Sequence, residues 1–133
     1  MIAPVKVQWL HANESGLSRF DTLEIEREVT DFAPPTQPFP VSKSIPASRF
    51  VVLQLPVGWS GERHSTPARQ MLFCLAGSVR VTPGIGEPVT ISTGDAWLME
   101  DTTGSGHETE VVSQVPFEAV VVQLPDARFD RPV

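Results

Sequence analysis

The sequence predicts an all-β domain with an extended N-terminal arm. Three observations carry that reading: short apolar runs recur with the two-residue alternation of strands, 13 prolines and 9 glycines interrupt the chain of 133 residues, and turn chemistry falls between the runs. No window of about a dozen residues keeps apolar positions at helical spacing without a breaker or a competing alternation.

The predicted strands follow in order. VKVQWL at 5–10 and LEIEREV at 23–29 precede the arm; RFVVLQL at 49–55 and QMLFCLAG at 70–77 open the main body. SVRVTP at 78–83, PVTIST at 88–93, DAWLME at 95–100, ETEVVSQ at 108–114 and FEAVVVQL at 117–124 complete it. Their Val, Ile, Phe and Trp content suits a pleated, half-buried surface. PGIGEP at 83–88 and SQVPF at 113–117 carry the Gly, Pro and Ser that tight connections need. DFAPPTQPFP at 31–40 has too many prolines to pair on both sides, so it predicts a polyproline-like strap with Phe32 and Phe39 docked on the domain. The chain therefore divides into N-terminal strands and arm at 1–48, a body at 49–125 and a tail at 126–133.

A chain of this length suits one domain that hides about two-thirds of its unfolded surface. With 41% hydrophobic and 20% charged residues it is ordinarily globular, and no apolar run reaches the length that spans a bilayer. The N-terminus lacks a basic stretch followed by an apolar core, so the expected location is the cytoplasm. A formal charge of −6 and scattered Lys and Arg residues argue against nucleic acid and anionic membranes as partners. The single cysteine, Cys74, lies between Phe73 and Leu75 and reads as a packed thiol.

The chemistry-bearing residues gather in two stretches. In the first, Gly58 is followed at fixed spacing by His64, Thr66, Gln70 and Gly77. In the second, GDAWLMEDTTGSGH runs from Gly94 to His107. The first stretch resembles the opening motif of the cupin superfamily, in which glycine is followed by His-x-His, then glutamate, then glycine. Thr66 stands where that motif has its second histidine and Gln70 where it has glutamate. The second stretch resembles the family's second motif, with Glu100 at the usual proline position and His107 two residues late, which a longer turn through 102–106 accommodates. The resemblance covers about 49–125 and implies a double-stranded β-helix, or jelly-roll, barrel.

Alternation puts Gln70, Leu72 and Cys74 on one face, which lines the interior, and Met71, Phe73 and Leu75 on the other. That second face is apolar too, so either the N-terminal arm or a second copy in a homodimer must cover it. The expected site is a pocket for a small polar molecule formed by His64, Arg69, Gln70, Glu100, Asp101 and His107. Arg69 would act as a clamp for an anion. Glu100 and Asp101 would act as base or ligand if they point inward, or as turn residues if they point out. His64, Gln70 and His107 are the candidate ligands of one divalent ion, Zn, Ni, Fe or Mn. The leading function is ligand binding without an assigned reaction. The alternative implied by the resemblance is an enzyme, either metal-dependent and dioxygenase- or lyase-like, or metal-free and sugar epimerase- or isomerase-like, with a histidine removing a proton next to a carbonyl. Trp59 and Trp97 read as packing residues.

Overall fold

Alternating side chains on short strands can be buried only by facing one sheet with another, and that is how the chain folds. A computed structural model describes residues 2–125; the tail at 126–133 lies outside them. Its strands are β1 (Val5–Ala12), β2 (Ser18–Ile25), β3 (Glu28–Thr30), β4 (Phe39–Val41), β5 (Arg49–Leu55) and β6 (Ser60–His64). They continue with β7 (Gln70–Ala76), β8 (Ser78–Thr82), β9 (Val89–Ser92), β10 (Ala96–Glu100), β11 (His107–Val111) and β12 (Phe117–Gln123). A six-stranded sheet in the order β2-β1-β10-β7-β12-β5 faces a four-stranded sheet in the order β6-β11-β8-β9. The result is an all-β jelly roll. Every pairing is antiparallel except β1 with β10, which run parallel from Gln8↔Trp97 to His11↔Glu100.

The core sits between the two sheets. Leu10, Leu72, Cys74, Trp97, Met99, Phe117, Ala119 and Val121 of the large sheet meet Val79, Val81, Ile91 and Val111 of the small one. A second cluster lies on the outer face of the large sheet, where Val7, Met71, Ala96, Leu98 and Leu124 gather under Ile45 of the arm. Hence Met71 is covered, but Phe73 and Leu75 on the same outer face remain 44% and 55% exposed.

The N-terminal region departs from the sequence reading in two places. The run expected as one strand at 23–29 breaks between β2 and β3, and β2 begins earlier, because Asn13 closes a tight turn: its side-chain oxygen accepts from the backbone N–H of Ser15 at 2.9 Å and of Leu17 at 3.0 Å. The proline-rich segment is the loop and second strand of a hairpin, with β3 pairing β4 from Glu28↔Val41 to Thr30↔Phe39. Phe32 and Phe39 pack on each other at 5.8 Å between ring centroids and stay 63% and 40% exposed, so they are not docked on the barrel.

Candidate functional site

The candidate site is built where β6 ends and β7 begins, and where β10 ends and β11 begins. His107 and His64 are register partners across β11 and β6, and directly opposed residues of an antiparallel pair project to the same side. His107 shares its face with Val111 of the core and is 2% exposed; His64 sits at the exposed rim. Their ring centroids lie 5.2 Å apart. Trp97 packs against His107 edge-on, 5.4 Å away at 77°.

This close pairing depends on glycine. Gly106 has φ +73, and a Cβ there would fall 2.1 Å from the carbonyl carbon and oxygen of His64, so β11 can start beside β6 only without a side chain at this position. Gly104 makes the matching approach to the β1–β2 turn, where a Cβ would lie 2.2 Å from the carbonyl oxygen of Gly16. Ser105 N–H donates to that oxygen at 2.7 Å, and Ser18 Oγ donates to the carbonyl of Gly106 at 2.7 Å. The β1–β2 turn thus buttresses the loop that delivers His107.

Asp101 is fully buried and turned inward, on the same side as Met99 and Trp97. Its Oδ2 meets His107 Nδ1 at 2.6 Å, its Oδ1 accepts from Thr66 Oγ1 at 2.7 Å, and its carbonyl accepts from Thr66 N–H at 3.0 Å. A carboxylate oxygen accepts, so in this pairing Nδ1 of His107 is the donor and Nε2 is the nitrogen not engaged by Asp101. The same reasoning holds for His64, whose Nδ1 lies 2.8 Å from the carbonyl of Glu62. Each histidine is oriented through Nδ1, and among the described residues Nε2 of neither has a hydrogen bond.

The remaining expected residues fall in two places. Gln70 begins β7 on the inner side, with its amide donating to Met99 Sδ at 3.4 Å; among the described residues it makes no hydrogen bond to either histidine. Arg69 and Glu100 take the opposite side of the large sheet, where Arg69 Nε donates to Glu100 Oε2 and Arg69 NH1 donates to the carbonyl of Pro125 at 2.8 Å. Trp9 Nε1 donates to the other oxygen of Glu100 at 2.6 Å. The structure therefore brings His64, Thr66, Asp101 and His107 together and separates Arg69 and Glu100 from them. A single-residue step decides this: Asp101 follows Glu100, and on a strand successive side chains point to opposite faces. Below this end the interior is filled by Leu72, Cys74 and Trp97, as small barrels are. A broad concavity of about 590 Å³ lies elsewhere, on β2 and its neighbours, lined by Lys6, Thr22, Leu23, Glu24 and Glu26.

The jelly roll with paired histidines at one end defines a cupin, and the comparisons agree. The family model for the cupin domain matches residues 51–123, and the chain belongs to the cupin superfamily. Among solved structures it is similar to the cupin domain of Cnp3 from Schizosaccharomyces pombe, at 13% identity and TM-score 0.50 over 95% of this chain and 86% of that one. It is also similar to a cupin 2 conserved barrel domain protein from Salinispora arenicola, at 14% identity and TM-score 0.48 over 90% and 84%. A third is a conserved protein of unknown function from Streptococcus pyogenes, at 24% identity and TM-score 0.44, where the match covers 59% of this chain and 65% of the other. These likenesses concern the fold. No curated protein matches.

The family resemblance implies a divalent ion, and the donor set does not fit one. The residue in the second histidine position, Thr66, is spent on Asp101, and both oxygens of Asp101 are engaged. Two imidazole nitrogens and a neutral amide leave the ion's charge uncompensated. Among the described residues no group of three or more His, Cys, Asp or Glu side chains is disposed to hold a metal. Among the described residues no helix is long and apolar enough to cross a membrane.

Proposed function

We propose that this cupin binds a small polar carbonyl compound between His64 and His107, and that His107 is its acid–base group in a metal-free proton transfer of the isomerase or epimerase type. The observation that supports this reading is the buried hydrogen bond of 2.6 Å between His107 Nδ1 and Asp101, itself held by Thr66. An imidazole fixed in this way offers Nε2 to the proton on the carbon next to the carbonyl. Taking it gives an imidazolium beside a carboxylate and leaves the electron pair on the substrate as an enolate. Re-protonation on either face or at the neighbouring carbon restores the ring. His64, at the rim, would hold a hydroxyl or carbonyl of the same molecule.

The test is exchange in D2O with pyruvate, 2-oxobutyrate and dihydroxyacetone, followed by proton NMR. The C–H signal next to the carbonyl should fade faster with protein than in buffer for at least one of them, and His107→Gln should lower that rate by about 100-fold or to background. Exchange at the buffer rate with all three compounds would sink the proton-transfer reading.

A further inference from the structure

We propose that the site between His64 and His107 selects an uncharged hydroxycarbonyl compound over a 2-oxo acid, and that the indole N–H of Trp97 donates to its carbonyl oxygen; this rests on the proton-transfer reading above. The fixed charge in the site is negative: Asp101 is fully buried and bonded to His107 and Thr66. Two cations lie one residue from site residues in the chain, Arg63 beside His64 and Arg69 beside Gln70. Both are turned to the opposite side and are spent there. Arg63 pairs with Glu108 at 3.0 Å and donates to the carbonyl of Gly106 at 2.9 Å; Arg69 pairs with Glu100 and donates to the carbonyl of Pro125. A ligand carboxylate beside Asp101 therefore meets like-charge repulsion with neither guanidinium turned towards it.

The unspent hydrogen-bonding groups are neutral. Trp97 Nε1 is buried without a hydrogen-bond partner among the described residues, in a ring that packs against His107 with centroids 5.4 Å apart. A buried donor without an acceptor is costly, so this N–H calls for an oxygen brought by a ligand. Gln70 adds a second donor: its amide is held by the thioether of Met99, a weak acceptor. Met99 is its register partner and follows Trp97 by two residues on the same inner face. Two neutral donors match a carbonyl oxygen. His64, with Nδ1 directed at the carbonyl of Glu62, presents Nε2 as an acceptor, which matches a hydroxyl. An α-hydroxycarbonyl compound brings both groups and no charge, and its hydroxyl-bearing carbon carries the proton that His107 takes.

The test compares exchange in D2O at about pH 8, with each rate taken relative to buffer. Dihydroxyacetone should be accelerated about 100-fold more than pyruvate or 2-oxobutyrate, the effect of like charges roughly 6 Å apart at an effective dielectric constant of about 20. A ratio below about tenfold, or one that favours either 2-oxo acid, overturns the charge selection and leaves proton transfer standing. No acceleration of any of the three overturns both. In parallel, wild-type protein labelled with 15N and titrated with dihydroxyacetone should show the indole N–H resonance of Trp97 moved downfield, with those of Trp9 and Trp59 in place. Accelerated exchange with an unmoved Trp97 resonance overturns the donor role. Trp97→Phe keeps an aromatic ring against His107 and removes the N–H, and should slow dihydroxyacetone exchange by roughly tenfold or more. Because that variant also leaves a gap in the core, the wild-type resonance is the deciding measurement.

Discussion

At the residue scale, the site turns on what Thr66 does with its hydroxyl. Valine has nearly the same shape, so Thr66→Val leaves the packing and removes one donor from a fully buried carboxylate. An unmet buried acceptor costs about 1–3 kcal/mol, and a charged one stands at the upper end. Urea unfolding should show a loss of that size, with Thr66→Ser recovering most of it. The two histidines were legible from motif spacing, and their convergence follows from register. The role of Thr66 was not, because a spacing pattern shows which slot a residue fills but not whether its side chain turns to the ligand or to a neighbour. Asp101 and Glu100 could have been separated by counting alternation from Trp97. Asp21 offers a further check at this scale. Hydrogen bonds from His11 and then Arg19 hold its carboxyl below the usual carboxylate range, so its stabilisation is complete above the unfolded-state value near pH ~3.9 and is lost as pH falls through the lower folded one. The pair is partly exposed, and such a pair contributes about 1 kcal/mol or less. The stability difference between wild type and Asp21→Asn should hold steady near pH 5 and shrink below about pH 4.

At the element scale, loops rather than strands aim the chemistry. Most body strands were visible in the sequence, because alternation and turn residues agree there; RFVVLQL at 49–55 coincides with β5, but β6 (Ser60–His64) was missed, since SGERH has no apolar alternation to mark it. The arm was not, since proline suppresses the strand signal while an edge strand still tolerates it, as Pro40 opposite Val29 does in the hairpin. The connection between β10 and β11 shows the other limit. Its glycines were readable as loop formers, but the close approach of Gly106 to His64 is a long-range fact that no local pattern encodes. Gly106→Ala meets both a left-handed backbone and a contact of 2.1 Å with backbone atoms. It should destabilise the protein by about 3 kcal/mol or more, and proton NMR should show the resonances of both histidine rings displaced.

At the scale of the whole molecule, the barrel gathers His64, Thr66, Asp101 and His107 at one end. That end retains the family's paired histidines; the interior below it is a packed core, with Trp97 at 2% exposure. The spacing of the first cupin motif is kept here while two of its residue identities are replaced, by Thr66 and Gln70, since spacing is what the fold requires and residue identity is what the ligand requires. The barrel therefore needs no ion to bring His64 and His107 together: Asp101, Thr66 and Gly106 do that through protein contacts alone. A resident ion would make folding depend on it, because at 100 times its dissociation constant an ion bound only to the native state adds about 2.7 kcal/mol. For a domain of this size that gain corresponds to a shift of roughly 10 °C. Zinc, nickel, iron and manganese, each added after dialysis against chelator, should leave the melting temperature of this protein where it was. A rise of several degrees with any of them, lost in His64→Ala and His107→Ala, would show that the two imidazoles recruit their missing ligands from solvent, and would return the site to metal chemistry.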